Sequence, residues 1–447
     1  MSELPSGWAH AEIGDLCSLI NGRAFKPQEW ADSGLPIIRI QNLNNPKAMF
    51  NHYSGTLDGK HHVSNGDLLF AWSGTPGTSF GAHIWHGGDA ALNQHIFKIE
   101  FSALEIDRDF LRYAINQKLD ELIGLAQGGV GLRHVTKGTF EKTKIAFPPR
   151  AEQARIAAKL GELLAQVDIV KARIDGIPAL IKRFRQSVLA AAVSGHLTED
   201  WRMRDVEFIS EDKRPGWIPK SLPELGELAR GKSKHRPRND ERLFGGEYPF
   251  IQTGEVANSS GRIKTAKVFY SDFGLAQSRL FPKGTLCITI AANIADTAIL
   301  DIESCFPDSI VGFIANEDKC CAQFVKYLID ANKQNLEDFA PATAQKNINL
   351  KALSELVFPM PSLAEQIEIV RRVEQTFAFA DQLNARIKAA QLRINLLTQS
   401  VLARAFRGEL APQNPTDEPA GVLLERIKTR RAAAPKVKRG RRAVTLG

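Results

Sequence analysis

Residues 151–197 read AEQARIAAKLGELLAQVDIVKARIDGIPALIKRFRQSVLAAAVSGHL, and residues 364–410 read AEQIEIVRRVEQTFAFADQLNARIKAAQLRINLLTQSVLARAFRGEL. Three groups align at one offset, 213 (364 less 151, 400 less 187, 408 less 195). They are Ala151-Glu152-Gln153 with Ala364-Glu365-Gln366, Ser187-Val188-Leu189 with Ser400-Val401-Leu402, and Gly195-His196-Leu197 with Gly408-Glu409-Leu410. Both copies carry heptads in the same register. Leu160, Val167, Ile174, Ile181 and Val188 lie seven apart, with Leu163, Val170, Ile177 and Phe184 three after the first four. In the second copy Val373, Ala380, Ile387, Ile394 and Val401 repeat the pattern, with Thr376, Leu383, Ala390 and Leu397 three after. An a/d seam held this long is the signature of a coiled coil, and two equal seams in one chain are natural partners. The competing reading is two amphipathic helices on separate cores. Length and shared register stand against it.

Outward from the two helices the rest of the chain also repeats. Residues 1–148 hold short β-type runs, Pro36–Ile40, Asp67–Phe70 and Ile96–Ile99, and a helical pattern from Asp107 to Ala126 ended by Gly128-Gly129-Val130-Gly131. Residues 215–361 follow the same outline: Pro36-Ile37-Ile38-Arg39 matches Pro249-Phe250-Ile251-Gln252, and Arg133-His134-Val135 matches Lys346-Asn347-Ile348. Elsewhere the two stretches share little. The fold expected is α+β: two mixed α/β domains (1–148 and 215–361) separated by two long antiparallel coiled-coil helices (149–197 and 362–410), with pseudo-two-fold symmetry. A polar linker fills 198–214 and a basic tail 411–447. Roughly 40 helical residues span about 60 Å, enough to hold two globules one DNA turn of about 34–36 Å apart or somewhat more. Pro178, after Gly176, removes a backbone hydrogen bond and predicts a bend near Ile174–Ile177.

Composition narrows the class. No apolar run reaches the length of a membrane span, and Met1–Pro5 resembles no signal peptide. Five cysteines without a CxxC fit a reduced, cytoplasmic setting and give no zinc spacing. The net charge is +8, but nine basic residues and no acid between Arg426 and Gly447 supply +9 of it, leaving −1 on residues 1–425. A nucleic-acid partner therefore has to be argued from local clusters. For the tail two readings stay open, non-specific phosphate binding or docking on a partner. The amphipathic run Ala420–Ile427 favours docking.

The whole chain resembles the specificity subunit of a type I restriction-modification system. The resemblance is carried by Phe147-Pro148-Pro149 leading to Ala151-Glu152-Gln153 and by Ser187-Val188-Leu189 leading to Gly195–Arg202. It is carried again by Phe358-Pro359-Met360-Pro361 leading to Glu365-Gln366, and by Ser400–Leu410. Pro178 inside the first helix and Arg150 after Pro149 depart from the family pattern. The resemblance implies two target-recognition domains, each reading half of a bipartite site in double-stranded DNA, with the helices fixing the gap. It implies a non-catalytic chain that binds two methylation subunits and, with them, two restriction and translocation subunits, and has no membrane partner. No cofactor is expected on this chain: S-adenosylmethionine, ATP and Mg belong to the partners.

Three motifs point elsewhere. Gly226-Glu227-Leu228-Ala229-Arg230-Gly231-Lys232-Ser233 matches the phosphate-loop spelling, but no buried strand precedes it and Pro237 opposes a following helix. Pro307-Asp308 with Glu317-Asp318-Lys319 spells a metal-nuclease pattern that has no carboxylate counterpart in the first half. His61-His62 is read as a solvated pair. Rival readings are thus a self-contained DNA-cleaving or ATP-using enzyme, and a coiled-coil scaffold with no DNA role.

Base edges are read by Arg, Asn and Gln, and phosphates by Lys, Arg and small polar groups. Candidates in the first domain are Arg39, Gln41 and Asn42 after a strand, and Arg133, His134 and Thr136 in a Gly-rich loop. In the second they are Gln252 and Thr253, Gln345, Lys346 and Asn347, and a basic cluster of Lys232, Lys234, Arg236 and Arg238.

Overall fold

The computed structural model describes residues 4–45, 47–74, 80–125, 133–204, 216–291, 294–339 and 348–433. The chain divides into two compact units, residues 1–174 with 390–447 and residues 175–389. Among the described residues no helix is long and apolar enough to cross a membrane.

Each unit is built on one plan. In the first, an antiparallel sheet has the order Ser18–Asn21, Ile96–Glu100, Leu68–Ala71, Gly81–Ile84. A second sheet has the order Asn51–Tyr53, Leu35–Ile38, Ala90–Leu92, His62–Val63, with one parallel pair in the middle. In the second unit, Gly226–Arg230, Ile310–Ala315, Leu286–Thr289 and Thr297–Leu300 repeat the first order, with Arg262–Ile263 added at the edge. Val268–Tyr270, Phe244–Phe250, Ser304–Cys305 and Leu280–Phe281 repeat the second. Sequences that share little therefore keep the same strand order, because alternation and burial fix a strand's place while leaving its side chains open.

In the first unit helix α1 (Arg108–Gln117) begins at Asp107, whose carboxylate accepts from the N–H groups of Asp109 and Phe110 and so caps the first turn. It buries Phe110, Leu111, Ala114 and Ile115. The helical pattern expected through Ala126 is in fact broken at Lys118 and resumes as Leu119–Gly124. Its glycine-rich end lies outside the described residues.

The first long helix, α2, runs Arg150–Val193. Its assignment is unbroken through Pro178, which offers no N–H to the Ile174 carbonyl. In the second unit α3 (Ala322–Ala331) repeats α1, and the second long helix, α4, runs Leu363–Phe406. Each spans 44 residues, about 66 Å. Within the second unit Arg185 pairs with Asp381 while Arg372 donates to the Leu197 carbonyl, so α2 and α4 run antiparallel there.

The a positions of the seam are its dry side. Leu160, Ile181, Val188, Val373, Ala380 and Ile394 are buried. Leu163, Val167, Ile174, Leu383, Ile387 and Val401 are half-buried. Val170 and Leu397, expected in the seam, are instead 47% and 52% exposed.

What joins helix to domain is the Glu-Gln pair that opens each repeat. Trp8 Nε1 donates to Glu152 Oε2 at 3.0 Å, and Trp217 Nε1 to Glu365 Oε2 at 3.3 Å. Gln153 Oε1 accepts from Asp107 N at 2.8 Å while its Nε2 donates to the Pro148 carbonyl at 3.0 Å. Gln366 does the same with Cys321 N at 2.9 Å and the Pro361 carbonyl at 3.0 Å. All four side chains are buried. The carboxylates differ in their cation: Arg202 ion-pairs directly with Glu365, whereas Arg155 turns to Asp417 at 2.6 Å.

The C-terminal helix α5 (Ala420–Ala433) belongs to the first unit. It buries Ala420, Leu423, Leu424 and Ile427 in the same core as Trp8, Leu16 and Phe147. Arg426 and Arg430 both reach Glu105, whose side chain is 4% exposed, and Ala420 N bonds the Gly7 carbonyl. The amphipathic run, for which docking on another subunit was one of two open readings, is docked within its own chain. Residues 434–447 of the tail lie outside the described residues.

Three stability outcomes follow. Burial holds the Glu152 carboxyl above its ordinary value, against the opposing Trp8 hydrogen bond and Arg155. A raised acid contributes stability below its unfolded pKa and loses it as pH rises through the folded one. Glu152→Gln is therefore expected to melt at or above wild type at pH 7, an advantage that vanishes below about pH 4. Glu365→Ala, which strands Arg202 and Trp217, is expected to cost about 3 kcal/mol. Differential scanning calorimetry across pH distinguishes the two. Ending the chain at residue 418 removes Leu423, Leu424 and Ile427, so it is expected to cost on the order of 5 kcal/mol. The loss should fall on the first unit's transition, read by hydrogen exchange.

Candidate nucleic-acid interface

In the first unit the short helix Ile40–Asn44 starts after a strand and places Arg39 and Gln41 at a cavity of about 270 Å³. Phe25, Trp30, Asn93, Gln94 and His95 complete its wall. The Arg39 guanidinium lies over the Trp30 ring at 5.8 Å, and Trp30 is 43% exposed. Asn42 does not belong to this surface as expected. It is 2% exposed, its Oδ1 accepts from Arg39 N, and its Nδ2 donates to the Ala48 and Met49 carbonyls. It shapes the loop and has no donor to spare for a base. Glu255 holds Gln252 N in the second unit in the same way.

The second candidate loop reaches the same neighbourhood through Trp72. Arg133–His134 pairs with Ser73–Gly74, and Val135 N bonds the Trp72 carbonyl. The Trp72 ring lies 5.9 Å from His134 and 5.5 Å from His95. The backbone of Arg133 is thereby placed. Thr136 is corrected: its Oγ1 accepts from Thr139 N and caps Lys137–Glu141. The turn Asn93-Gln94-His95 was missed in the sequence, since it carries no full positive charge and its counterpart, Pro307-Asp308-Ser309, shares no residue with it. A larger cavity of about 770 Å³ beside Trp85 holds Arg108 and Arg112, but both turn to Asp109, so it is no ready phosphate cradle. His61, expected as solvated, is half-buried, and burial pushes its pKa down.

In the second unit Gln252 is exposed and Thr253 half-buried at the start of Thr253–Ala257. Lys232, Lys234, Arg236 and Arg238 are all exposed on a loop that is internally braced. Asp240 accepts from Arg242 and faces His235 at 2.7 Å, and the Arg242 hydrogen bonds, then His235, hold its carboxyl far below the usual range. Arg236 caps the Ser233 and His235 carbonyls, and Arg238 is held by both Asp308 oxygens at 3.0 and 3.1 Å. Gln345, Lys346 and Asn347 lie outside the described residues. The phosphate-loop spelling follows a helical turn (Leu222–Leu225) and falls on a strand (Gly226–Arg230) and then the loop, so no helix N-terminus faces a phosphate. Asp308 and Glu317 flank the strand Ile310–Ala315, about 20 Å apart, too far to share a cation.

A duplicated recognition scaffold is what this geometry defines. A family model described as type I restriction modification DNA specificity domain matches residues 5–179 and again 216–391. The chain belongs to this family. It is a specificity subunit, the non-catalytic DNA-recognition part of a type I restriction-modification enzyme. It is 32% identical to the type I restriction enzyme EcoBI specificity subunit of Escherichia coli, over 96% of this chain and 93% of that one. It is 28% identical to the EcoKI specificity subunit of Escherichia coli (strain K12), over 97% of both. The fold is like that of the HsdS subunit from Thermoanaerobacter tengcongensis, with TM-score 0.55 and 19% identity over 91% of this chain and 98% of that one. It is also like that of a chain described under complex assembly and conformational transition of the type I R-M system. There the TM-score is 0.67 and the identity 17%, over 92% of this chain and 100% of that one.

The braced loop makes a quantitative expectation. Replacing Lys232, Lys234 and Arg236 together by Ala should weaken DNA binding without changing the preferred sequence. The slope of log affinity against log salt should become shallower by up to about 3, near 0.9 per lost phosphate contact. Fluorescence anisotropy of the assembled complex over a salt series checks it.

Proposed function

We propose that each unit reads one half of a bipartite DNA sequence, that α2 and α4 set the unspecified gap between the halves, and that the chain recruits two methylation subunits and two restriction and translocation subunits. S-adenosylmethionine, ATP and Mg serve those partners. The observation that carries this reading is one frame with two faces. Gln153 and Gln366 make the same bonds, and Asn42 and Glu255 brace the same loop, yet Arg39 stands where Gln252 does and Gln94 where Asp308 does. A duplicated frame with unlike reading residues suits two different half-sites. For recruitment the support is apolar side chains left uncovered on the helices. In the first unit these are Ile169, Val170, Leu392, Leu396 and Leu397, and in the second Leu180, Phe184 and Phe379.

Reconstitution with the methylation subunits, followed by methylation sequencing, tests this directly. A two-part sequence with an unspecified gap is expected, and one continuous recognition sequence would sink the reading. Deleting one heptad from each long helix removes about 10 Å. The gap should shorten by about 3 base pairs, at 3.4 Å per step, while both half-sites stay unchanged.

A further inference from the structure

The wall of the first unit's 270 Å³ cavity includes a turn whose build exceeds what a surface connection needs. Gly22 lies against it: a Cβ there would sit 1.9 Å from the Asn93 carbonyl oxygen, so only glycine lets the two backbones meet. Gly22 N and Arg23 N bond the Ile96 and Leu92 carbonyls on either side of the turn, clamping it at both ends. Inside it, Asn93 Oδ1 accepts from Gln94 N at 2.7 Å. His95 is packed on Trp72, which is stacked on Phe97 at 5.6 Å.

Gln94 itself is exposed, yet its carboxamide is oriented. Gln94 Nε2 lies 3.2 Å from His95 Nε2. For the amide nitrogen to donate here the ring nitrogen must accept, which requires the His95 proton on Nδ1, a buried atom with no hydrogen-bond partner in the structure. Burial, and then His134, push the His95 pKa down, which keeps the ring neutral and able to accept. Gln94 Oε1 and its second N–H have no partner among the described residues. One acceptor beside one donor on a fixed carboxamide is the pattern that grips adenine at N6 and N7.

We propose that Gln94 is a specificity-determining residue of the first domain, reading one adenine of its half-site, and that His95 on the Trp72 shelf is its positioning residue. The assignment rests on the recognition reading above. It is specific to this domain: the second unit has Pro307-Asp308 at the equivalent turn, with Asp308 given over to Arg238, and Ile290 where Trp72 stands. Gly231, whose Cβ would meet the Pro307 carbonyl oxygen at 2.3 Å, keeps the same clamp. Thus the turn is retained in both domains and its reading group in one.

Complexes of the full chain with methylation subunits, carrying Gln94→Ala or Gln94→Glu, are compared with wild type by methylation sequencing. Gln94→Ala should lose on the order of tenfold or more of the discrimination at one A·T position of one half-site. Gln94→Glu, which only accepts, should shift that position toward cytosine. The other half-site and the gap should not change, and both variants should melt as wild type does. Unaltered selectivity at every position, or an even loss over both half-sites, overturns the assignment. A wild-type complex with no two-part preference would sink the recognition reading itself, and this assignment with it.

Discussion

A buried carboxylate and a buried carboxamide, side by side at the start of a long helix, are expensive to place in a protein interior unless every polar atom is answered. Glu365-Gln366 meets that demand, and Glu152-Gln153 meets it at every atom but Glu152 Oε1, through bonds that tie three segments together. The indole of Trp8 or Trp217 comes from the residue just before the strand that enters the domain (Ala9–Glu12 or Ile218–Ser221). The amide of Asp107 or Cys321 comes from the start of the domain's main helix, and the carbonyl of Pro148 or Pro361 from the approach to the long helix itself. A helix can serve as a spacer only if its junction with the domain is stiff. Three polar atoms locked on three segments leave little room for the domain to rock, because any tilt strands a buried group at a cost of about 1–3 kcal/mol.

That junction explains why divergence is distributed as it is. Residues of the anchor and the a positions of the seam have two or more simultaneous geometric duties, so the repeats resemble each other there. The reading positions have one backbone duty and an open side chain. Gly22 and Gly231 show the contrast: both are pressed against a turn that admits no Cβ, while the turn residues they press on share no identity. Frame and face thus vary independently, as the proposed reading of two unlike half-sites requires.

How much of this was legible in the sequence depended on whether the signal was local and periodic. The two long helices were, through the constant offset and the heptads. Individual polar residues were not. Asn42 and Thr136 fit a base-reading inventory, but the donors and acceptors that suit a base suit a helix start equally well, and both are spent there. Val170 and Leu397 kept the heptad count yet stand exposed, since periodicity tells which face is apolar and not how much of it a neighbour covers. The docking of α5 on Glu105 joins residues more than three hundred positions apart, which no local pattern announces.

The comparison of the two anchors also accounts for α5. In the second unit the segment that closes the junction follows directly from α2: Thr198 and Arg202 bind Glu365, and Arg372 reaches Asp200. In the first unit the corresponding segment follows α4, near the end of the chain, and the pairing is inverted. The cation, Arg155, is on the helix, and the acid, Asp417, on the segment. With Arg155 drawn to Asp417, Glu152 is left with the Trp8 indole and a raised pKa, a weaker closure than Glu365 has. The first unit gains elsewhere what that junction lacks: α5 adds three large aliphatic side chains to its core and two arginines to the buried Glu105. The C-terminal helix is in this sense the counterweight to an inverted ion pair, and its basic residues are explained by an acid inside the protein before any phosphate outside it is invoked.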